Sequence, residues 1–215
     1  MASPLEKARK NPDSMKAKIL TTARNLFGEY GYHGTTTRMI AQKVGIDIST
    51  LYYHWGEKKD LYDAVMADLN HELRQKIDEV QNMSIEGESP TNRLELAIDV
   101  MSDFLFSQPD SSNLILHGYF SRTRDSGPDD ETPEYISHIA YAMGLAMDKS
   151  SVSVEAKALV MAVCNSIFTF VSGENFIKPM LEVDAEQYRK VVKDTLKFII
   201  IPAVTRAKIK KEDKN

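Results

Sequence analysis

Apolar residues recur at every third or fourth position along most of this 215-residue chain, and no segment shows the sustained alternation of a half-buried strand. The first pattern starts at Met15 and ends near Gly28 and Gly31. The later ones cover 36–44, 48–54, 57–82, 91–107, 111–122, 133–149, 153–176 and 184–208. The sequence therefore predicts an all-α fold of about nine helices.

The breaks between these patterns predict how the chain is organised. Residues 1–13 hold two prolines and several charges and predict a flexible arm. Residues 14–57 form a compact three-helix domain, residues 58–208 a larger helical domain, and residues 209–215 a charged tail. The polar stretches at 84–90 and 124–133 are predicted loops within the larger domain.

Composition excludes several classes of protein. The single cysteine, Cys164, excludes an internal disulfide framework and a cysteine-rich zinc site. The five histidines lack ligand spacing, and no catalytic triad or carboxylate pair can be argued, so we expect no metal, no cofactor and no enzyme activity. The chain begins without an apolar signal segment, and the apolar stretch Ala158–Val171 is shorter than the roughly 20 residues of a membrane span. We expect a cytoplasmic protein without a membrane partner.

Charge is unevenly distributed along the chain. Residues 1–60 hold ten Lys and Arg against six Asp and Glu, a net charge of +4. The remaining residues hold 17 Lys and Arg against 25 Asp and Glu, a net charge of −8, which gives the total of −4. A basic front on an acidic body indicates a small nucleic-acid-binding module joined to a domain with another task.

The segment from Gly31 to Leu61 predicts a helix-turn-helix. Two short helical patterns are separated by a tight turn at Gly45, where glycine adopts a positive φ without steric cost. Ala41 allows the two helices to approach closely, and Ile40 and Leu51 supply a small core. In this motif the second helix presents its N-terminal residues to the major groove of DNA.

This segment resembles the DNA-binding region of the TetR/AcrR-type transcriptional regulators. The matching residues are Gly31-Tyr32, Thr35-Thr36, Ile40-Ala41, Gly45-Ile46, the run from Thr50 to Trp55, and Lys58 with Leu61. The resemblance covers about 47 residues, Met15–Leu61, and beyond them extends only to length and helical character. Asp47, Ser49, Trp55 and Glu57 depart from the family's usual residues, and Asp47 and Glu57 add negative charge beside the DNA.

The resemblance and the motif together assign nine residues to a DNA interface. The hydroxyl groups of Thr36 and Thr37 lie at a helix N-terminus, which favours a phosphate. The tip of the second helix is predicted to reach base edges, and its outer face, with Lys58 after it, to contact phosphates. The predicted DNA-binding residues are Thr36, Thr37, Arg38, Ile48, Ser49, Thr50, Tyr53, His54 and Lys58. Tyr52 and Trp55 are predicted core residues.

The resemblance also implies a two-fold dimer on a near-palindromic operator, formed through the two C-terminal helices. The larger domain is expected to enclose a cavity for an unknown small-molecule effector. Its predicted lining consists of aromatic, sulfur-containing or isolated polar residues on apolar stripes: Met101, Phe104, His117, Phe120, Tyr141, Met161, Cys164, Asn165 and Phe168.

These features predict a ligand-responsive, dimeric, sequence-specific DNA-binding regulator, a repressor that a small apolar or aromatic effector releases from its operator. Two alternatives stay open at this point. One is a transcriptional activator or a regulator controlled by a partner protein, and the other is an all-α small-molecule carrier or enzyme that does not bind DNA.

Overall fold

The computed structural model describes residues 2–83, 89–120, 132–143, 145–146 and 148–212, with side chains described up to residue 205. These residues form eleven α-helices and no strand, so the all-α prediction is confirmed with more helices than expected. The helices are α1 (Pro4–Lys10), α2 (Met15–Gly34), α3 (Thr37–Val44), α4 (Ile48–Trp55), α5 (Lys58–Met83), α6 (Pro90–Ser107), α7 (Pro109–Phe120), α8 (Thr132–Ala142), α9 (Val154–Ser172), α10 (Glu174–Met180) and α11 (Ala185–Glu212).

Several helices begin at a residue whose side chain accepts a hydrogen bond from one of the first backbone N–H groups, which have no acceptor within the helix. Ser14, Thr36, Ser89 and Ser153 each accept a hydrogen bond from a backbone N–H three residues ahead. Such N-caps stabilise a helix by about 1 kcal/mol. Asp47 occupies the N-cap position of α4, but its side chain makes no capping bond.

The chain divides into two compact units. The first unit comprises Met1–Leu73 and Asp110–Arg122, and the second comprises Arg74–Pro109 and Thr123–Asn215. The predicted boundary at residues 57/58 therefore falls inside the first unit. Helix α5 contributes residues to both units.

The first unit packs α1, α3 and α4 against α2. Its fully buried side chains include Ile19, Phe27, Ile40, Leu51 and Leu61, which come from four different helices. Burying large apolar side chains stabilises a fold by about 1.5–3 kcal/mol each. This core holds α3 and α4 at a fixed angle to the rest of the unit.

The second unit is built around α6, α9 and α11, with α8 and α10 packed on α9. Leu105, Val160 and Leu196 lie in its core, and the hydroxyl group of Tyr188 donates a hydrogen bond to the Phe170 carbonyl at 2.8 Å. Two ion pairs tie α11 to α6, from Lys193 to Asp103 at 2.9 Å and from Lys197 to Asp99 at 2.6 Å. They lie one helical turn apart.

The structure differs from the sequence prediction at three places. Residues Pro4–Lys10 form helix α1 within the predicted flexible arm, because Ser3 and Glu6 make a capping box and Ala8 is buried. The predicted helix over 153–176 is interrupted at Gly173, so that α10 is a separate helix. Helix α8 ends at Ala142 rather than continuing to residue 149. The predicted loop residues 84–88 and 124–131 lie outside the described part of the chain.

One helix of the described residues, α9, is long and apolar enough by composition to cross a bilayer. The core helix of a globular domain can have the same composition. Within the second unit α9 buries Ala156, Val160, Ile167, Phe168 and Val171 against its neighbours.

Candidate nucleic-acid interface and ligand cavity

The turn between α3 and α4 has the geometry that the sequence predicts. Gly45 has φ +82° in the left-handed region, and its N–H and that of Ile46 both donate to the Ala41 carbonyl, at 2.9 and 3.0 Å. A Cβ atom at Gly45 would meet nothing within 4 Å, so backbone conformation alone favours glycine here. The two helices reverse direction at this glycine.

Helices α3 and α4 each bury one face and expose the other. Ile40, Ala41, Leu51 and Trp55 are buried, and Trp55 also donates a hydrogen bond from its indole N–H to the Lys16 carbonyl at 3.2 Å. On the outer faces, Tyr53 is 84% exposed. The predicted DNA-binding residues Thr36, Arg38 and Ser49 are exposed as well, and Thr37, Ile48, Thr50, His54 and Lys58 are half-buried.

Thr36 combines a structural role with the predicted functional one. Its hydroxyl oxygen accepts a hydrogen bond from the Met39 N–H at 3.1 Å, which caps α3. The hydroxyl hydrogen stays available to donate to an anion outside the helix. The cap therefore leaves a phosphate contact possible.

Lys58 has different neighbours from those expected of a phosphate-binding side chain. Its ammonium group donates to the carbonyls of Tyr32 at 2.9 Å and Thr35 at 3.0 Å, and lies 4.1 Å from the centroid of the Tyr32 ring. Burial lowers its pKa below the ordinary lysine value. In this structure Lys58 satisfies carbonyl groups at the C-terminal end of α2.

On α4, Tyr52 corrects the sequence prediction, and His54 has a buried ring nitrogen. Tyr52 was expected in the core but is 47% exposed, because it lies on the same outer side as Tyr53. The Nδ1 atom of His54 is buried without a hydrogen-bond partner. Burial, and secondarily the charge of Lys16, lowers the His54 pKa, so this ring is neutral at pH 7 and does not add a positive charge.

Only some of the cations in the basic front are available to DNA. Arg9 pairs with Asp68 at 2.7 Å, and Arg24 forms a bidentate pair with Glu72, both N–O distances being 2.8 Å. Arg38 and Lys43 are exposed on α3, and neither has an ion-pair partner among the described residues. Sequence alone does not separate these two groups of cations, because the pairing acids lie more than 40 residues away.

The second unit contains a cavity of about 550 Å³, in the usual size range for small-molecule sites. Helices α5, α6, α8 and α9 supply its walls. Leu94, Ile98, Leu105 and Ile139 are buried lining residues, and Arg93 and Gln81 are exposed ones. The interior is apolar, and its polar groups lie toward solvent.

Four of the nine predicted ligand-binding residues line this cavity: Met101, Tyr141, Cys164 and Phe168. The other five do not line it. His117 and Phe120 lie on α7 in the first unit, where the His117 ring lies beside Gly31 and Phe120 is 80% exposed. Phe104 lies under the Lys76 ammonium instead, and Met161 and Asn165 are on α9 but not in the lining.

The apolar stripe of α6 is the part of the cavity that the prediction underestimated. Leu94, Ala97 and Ile98 continue the stripe of Met101 and Leu105 toward the start of the helix at helical spacing. This apolar spacing is present in the sequence, but it does not differ from the spacing of ordinary core residues.

Burial raises the pKa of the Cys164 thiol to about 11, so a neutral thiol faces the cavity.

No group of three His, Cys, Asp or Glu side chains that could hold a metal ion occurs in the part of the chain that the structure describes.

Residues 19–65 match the family model of the "Bacterial regulatory proteins, tetR family". A 92-residue segment is 35% identical to the biofilm operon icaADBC HTH-type negative transcriptional regulator IcaR of Staphylococcus aureus strain Newman, covering 43% of this chain and 44% of that protein. The IcaR of Staphylococcus epidermidis is 46% identical over 48 residues, which cover 22% of this chain and 26% of that protein. The chain therefore matches less than half the length of these relatives.

Solved structures extend the likeness of fold beyond the N-terminal segment. The ketosteroid transcriptional regulator KstR2 of Mycobacterium tuberculosis aligns with a TM-score of 0.64 at 16% identity, over 89% of this chain and 95% of that one. A TetR variant of Acinetobacter baumannii in complex with minocycline aligns with a TM-score of 0.53 at 20% identity, over 90% of this chain and 98% of that one. At these identities the likeness is one of fold.

Proposed function

We propose that this chain, whose residues 19–65 match the family model of the bacterial tetR regulatory proteins, is a dimeric transcriptional repressor that a small molecule releases from its operator. One observation carries the proposal. Two short helices joined at left-handed Gly45 bury their inner faces and expose Thr36, Arg38, Ser49 and Tyr53 on their outer faces. We expect such a regulator to work in the cytoplasm.

In the proposed complex α4 enters the major groove. Ile48 and Ser49 form its N-terminal tip, suited to a thymine methyl group and a base-edge hydrogen bond. Thr36 and Arg38 on α3, with Tyr53 on α4, contact phosphates and fix the register. Thr37, Thr50 and His54 border this surface, the last as a neutral ring.

Apolar side chains on the C-terminal helices support a dimer. On α11, Val191 is 40% and Phe198 80% exposed, two helical turns apart, and Ile199 beside Phe198 is 59% exposed. Helix α9 exposes Ala158 and Ala162, one turn apart. Large exposed apolar residues at helical spacing indicate a face that packs against another helix. A second copy of the chain with the same face gives a two-fold assembly, as a near-palindromic operator requires.

The cavity of the second unit supports a small-molecule effector. Helix α5 supplies Leu61 and Leu69 to the core of the first unit and Ile77 and Val80 to the cavity wall of the second. An effector that binds better to the conformation unable to hold DNA lowers DNA affinity by its differential affinity for the two states. The names of KstR2 and of the minocycline complex support this type of ligand.

The word "negative" in the name of the staphylococcal relatives favours repression over activation. A carrier or enzyme that does not bind DNA is disfavoured by the matched DNA-binding segment. It is also disfavoured by the exposed cations Arg38 and Lys43, which have no ion-pair partner in the described ranges.

The test is binding to a mixed-sequence duplex, measured by fluorescence anisotropy at a series of salt concentrations. We expect the logarithm of the binding constant to fall linearly with the logarithm of the salt concentration. R38Q should weaken binding to all duplexes and reduce that slope by about 1, as the loss of one phosphate contact does.

The matched control is R189Q, which removes an exposed arginine from α11 in the second unit and should leave both affinity and slope unchanged. Absence of duplex binding even at low salt would refute the proposed function. An unchanged slope in R38Q would refute the role of Arg38 alone.

A further inference from the structure

The cavity of the second unit has polar groups at one end and an apolar interior. Arg93 lies in the first turn of α6 and Gln81 near the end of α5, and both side chains are exposed lining residues. Deeper along α6 the lining includes the buried residues Leu94, Ile98 and Leu105. From Arg93 to Leu105 the helix rises about 18 Å, so the cavity wall is long as well as apolar.

Arg93 is the only charged side chain among the described residues that line the cavity. Its guanidinium group has no ion-pair partner in the described part of the chain, and neither its side chain nor that of Gln81 makes an internal hydrogen bond there. A guanidinium group offers five N–H donors in a fork that matches a carboxylate. The N-terminal end of α6 adds to the attraction for a negative group.

Inside the cavity a ligand would contact mainly hydrocarbon side chains. Cys164 and Met101 supply weakly polar sulfur atoms, and burial keeps the thiol neutral. A ligand that placed a charge or several polar atoms there would lose their hydration without gaining hydrogen bonds. A ligand with its one anionic group at Arg93 and an aliphatic remainder would avoid this cost.

On the basis of the effector cavity in the proposed function, we infer that the ligand of this site is an anionic single-chain amphiphile, with a carboxylate at Arg93 and Gln81 and an unbranched aliphatic chain along α6. The carboxylate accepts hydrogen bonds from the Arg93 guanidinium and the Gln81 amide. The aliphatic chain lies along the buried face of α6 from Leu94 toward Leu105. Affinity therefore depends separately on the charge of the head group and on the length of the chain.

The experiment is calorimetric titration of the full-length, delipidated protein with straight-chain carboxylates from octanoate to palmitate and with the alcohols of the same lengths. Affinity for the carboxylates should rise about fourfold per added CH₂ until the cavity is filled. At each length the carboxylate should bind more tightly than the alcohol.

Three variants separate the head-group site from the chain site. R93Q should weaken carboxylate binding about 10- to 100-fold and leave alcohol binding unchanged. R189Q, the control for loss of one exposed arginine in the same unit, should change neither. A97F places a ring in the cavity wall and should abolish binding of both series, and its thermal unfolding checks that it folds.

Equal affinity for carboxylates and alcohols, or an R93Q variant that keeps its preference for carboxylates, would overturn the inference, and so would failure of both series to bind. Full binding by folded A97F would overturn the location of the chain. These titrations contain no DNA, so their failure leaves the duplex-binding test of the proposed function unaffected, and failure of that test leaves these titrations interpretable.

Discussion

At the scale of single residues, Lys58 shows how a side chain can have a different role from the one its motif suggests. The resemblance assigns it to a phosphate, but its ammonium group satisfies the Tyr32 and Thr35 carbonyls. The sequence motif fixes the position of the lysine after α4, but not which acceptors come within reach, because that depends on where α2 ends. Tyr52 is a similar case: this large aromatic residue follows buried Leu51, but it is exposed like Tyr53 because of the direction in which its helix faces.

Substituting Lys58 tests which role is correct. Hydrogen bonds to a charged group are worth about 1.5–3 kcal/mol, so K58M should lower the free energy of unfolding by that order in urea titrations. The salt slope of DNA binding should stay unchanged. K43M, which removes an exposed cation that is unpaired within the described part of the chain, should leave stability unchanged. If K58M kept its stability and its salt slope of DNA binding fell by about 1, Lys58 would instead be a phosphate-binding residue.

At the scale of helices, the boundaries that depend on local chemistry were predictable and those that depend on packing were not. The starts of α2, α3 and α6 follow from Ser14, Thr36 and Ser89, whose side chains cap the helix whatever surrounds it. The break at Gly173 lies in the short polar segment from Ser172 to Asn175, and α10 packs on α9 after it. Four of the predicted ligand-binding residues line the cavity, but no local pattern placed His117 and Phe120 in the other unit.

Two glycines in the first unit test this account of local geometry. Gly45 has a positive φ and open space around it, whereas Gly31 has φ +70° and ψ 175°, and a Cβ atom there would lie 3.2 Å from the His117 Nδ1 atom. G45A should therefore cost about 1–2 kcal/mol of strain. G31A should lower stability by more than this, since the His117 ring must also move to make room for the Cβ atom. Thermal unfolding of both variants measures which of them loses more stability. A G45A variant less stable than G31A would contradict the expected ranking.

At the scale of the whole molecule, the proposed dimer depends on the exposed face of α11. F198E places a charge on that face and should convert the dimer to a monomer in sedimentation experiments, because burying an unpaired carboxylate at an apolar interface is costly. F120E is the matched control, since Phe120 is equally exposed at 80% but lies on α7. A dimeric F198E or a monomeric F120E would move the interface away from the C-terminal helices.

The most direct test of the central claim is selection of duplexes from a pool with a randomised central segment, followed by sequencing. We expect enrichment of an inverted repeat whose half-site centres lie about one helical turn of DNA, or a multiple of it, apart. Exchange of Ser49 at the tip of α4 for Ala should relax the preference within each half-site. A selected pool without any enriched sequence, or one enriched in a single asymmetric site, would contradict the claim that a dimer reads DNA through α3 and α4.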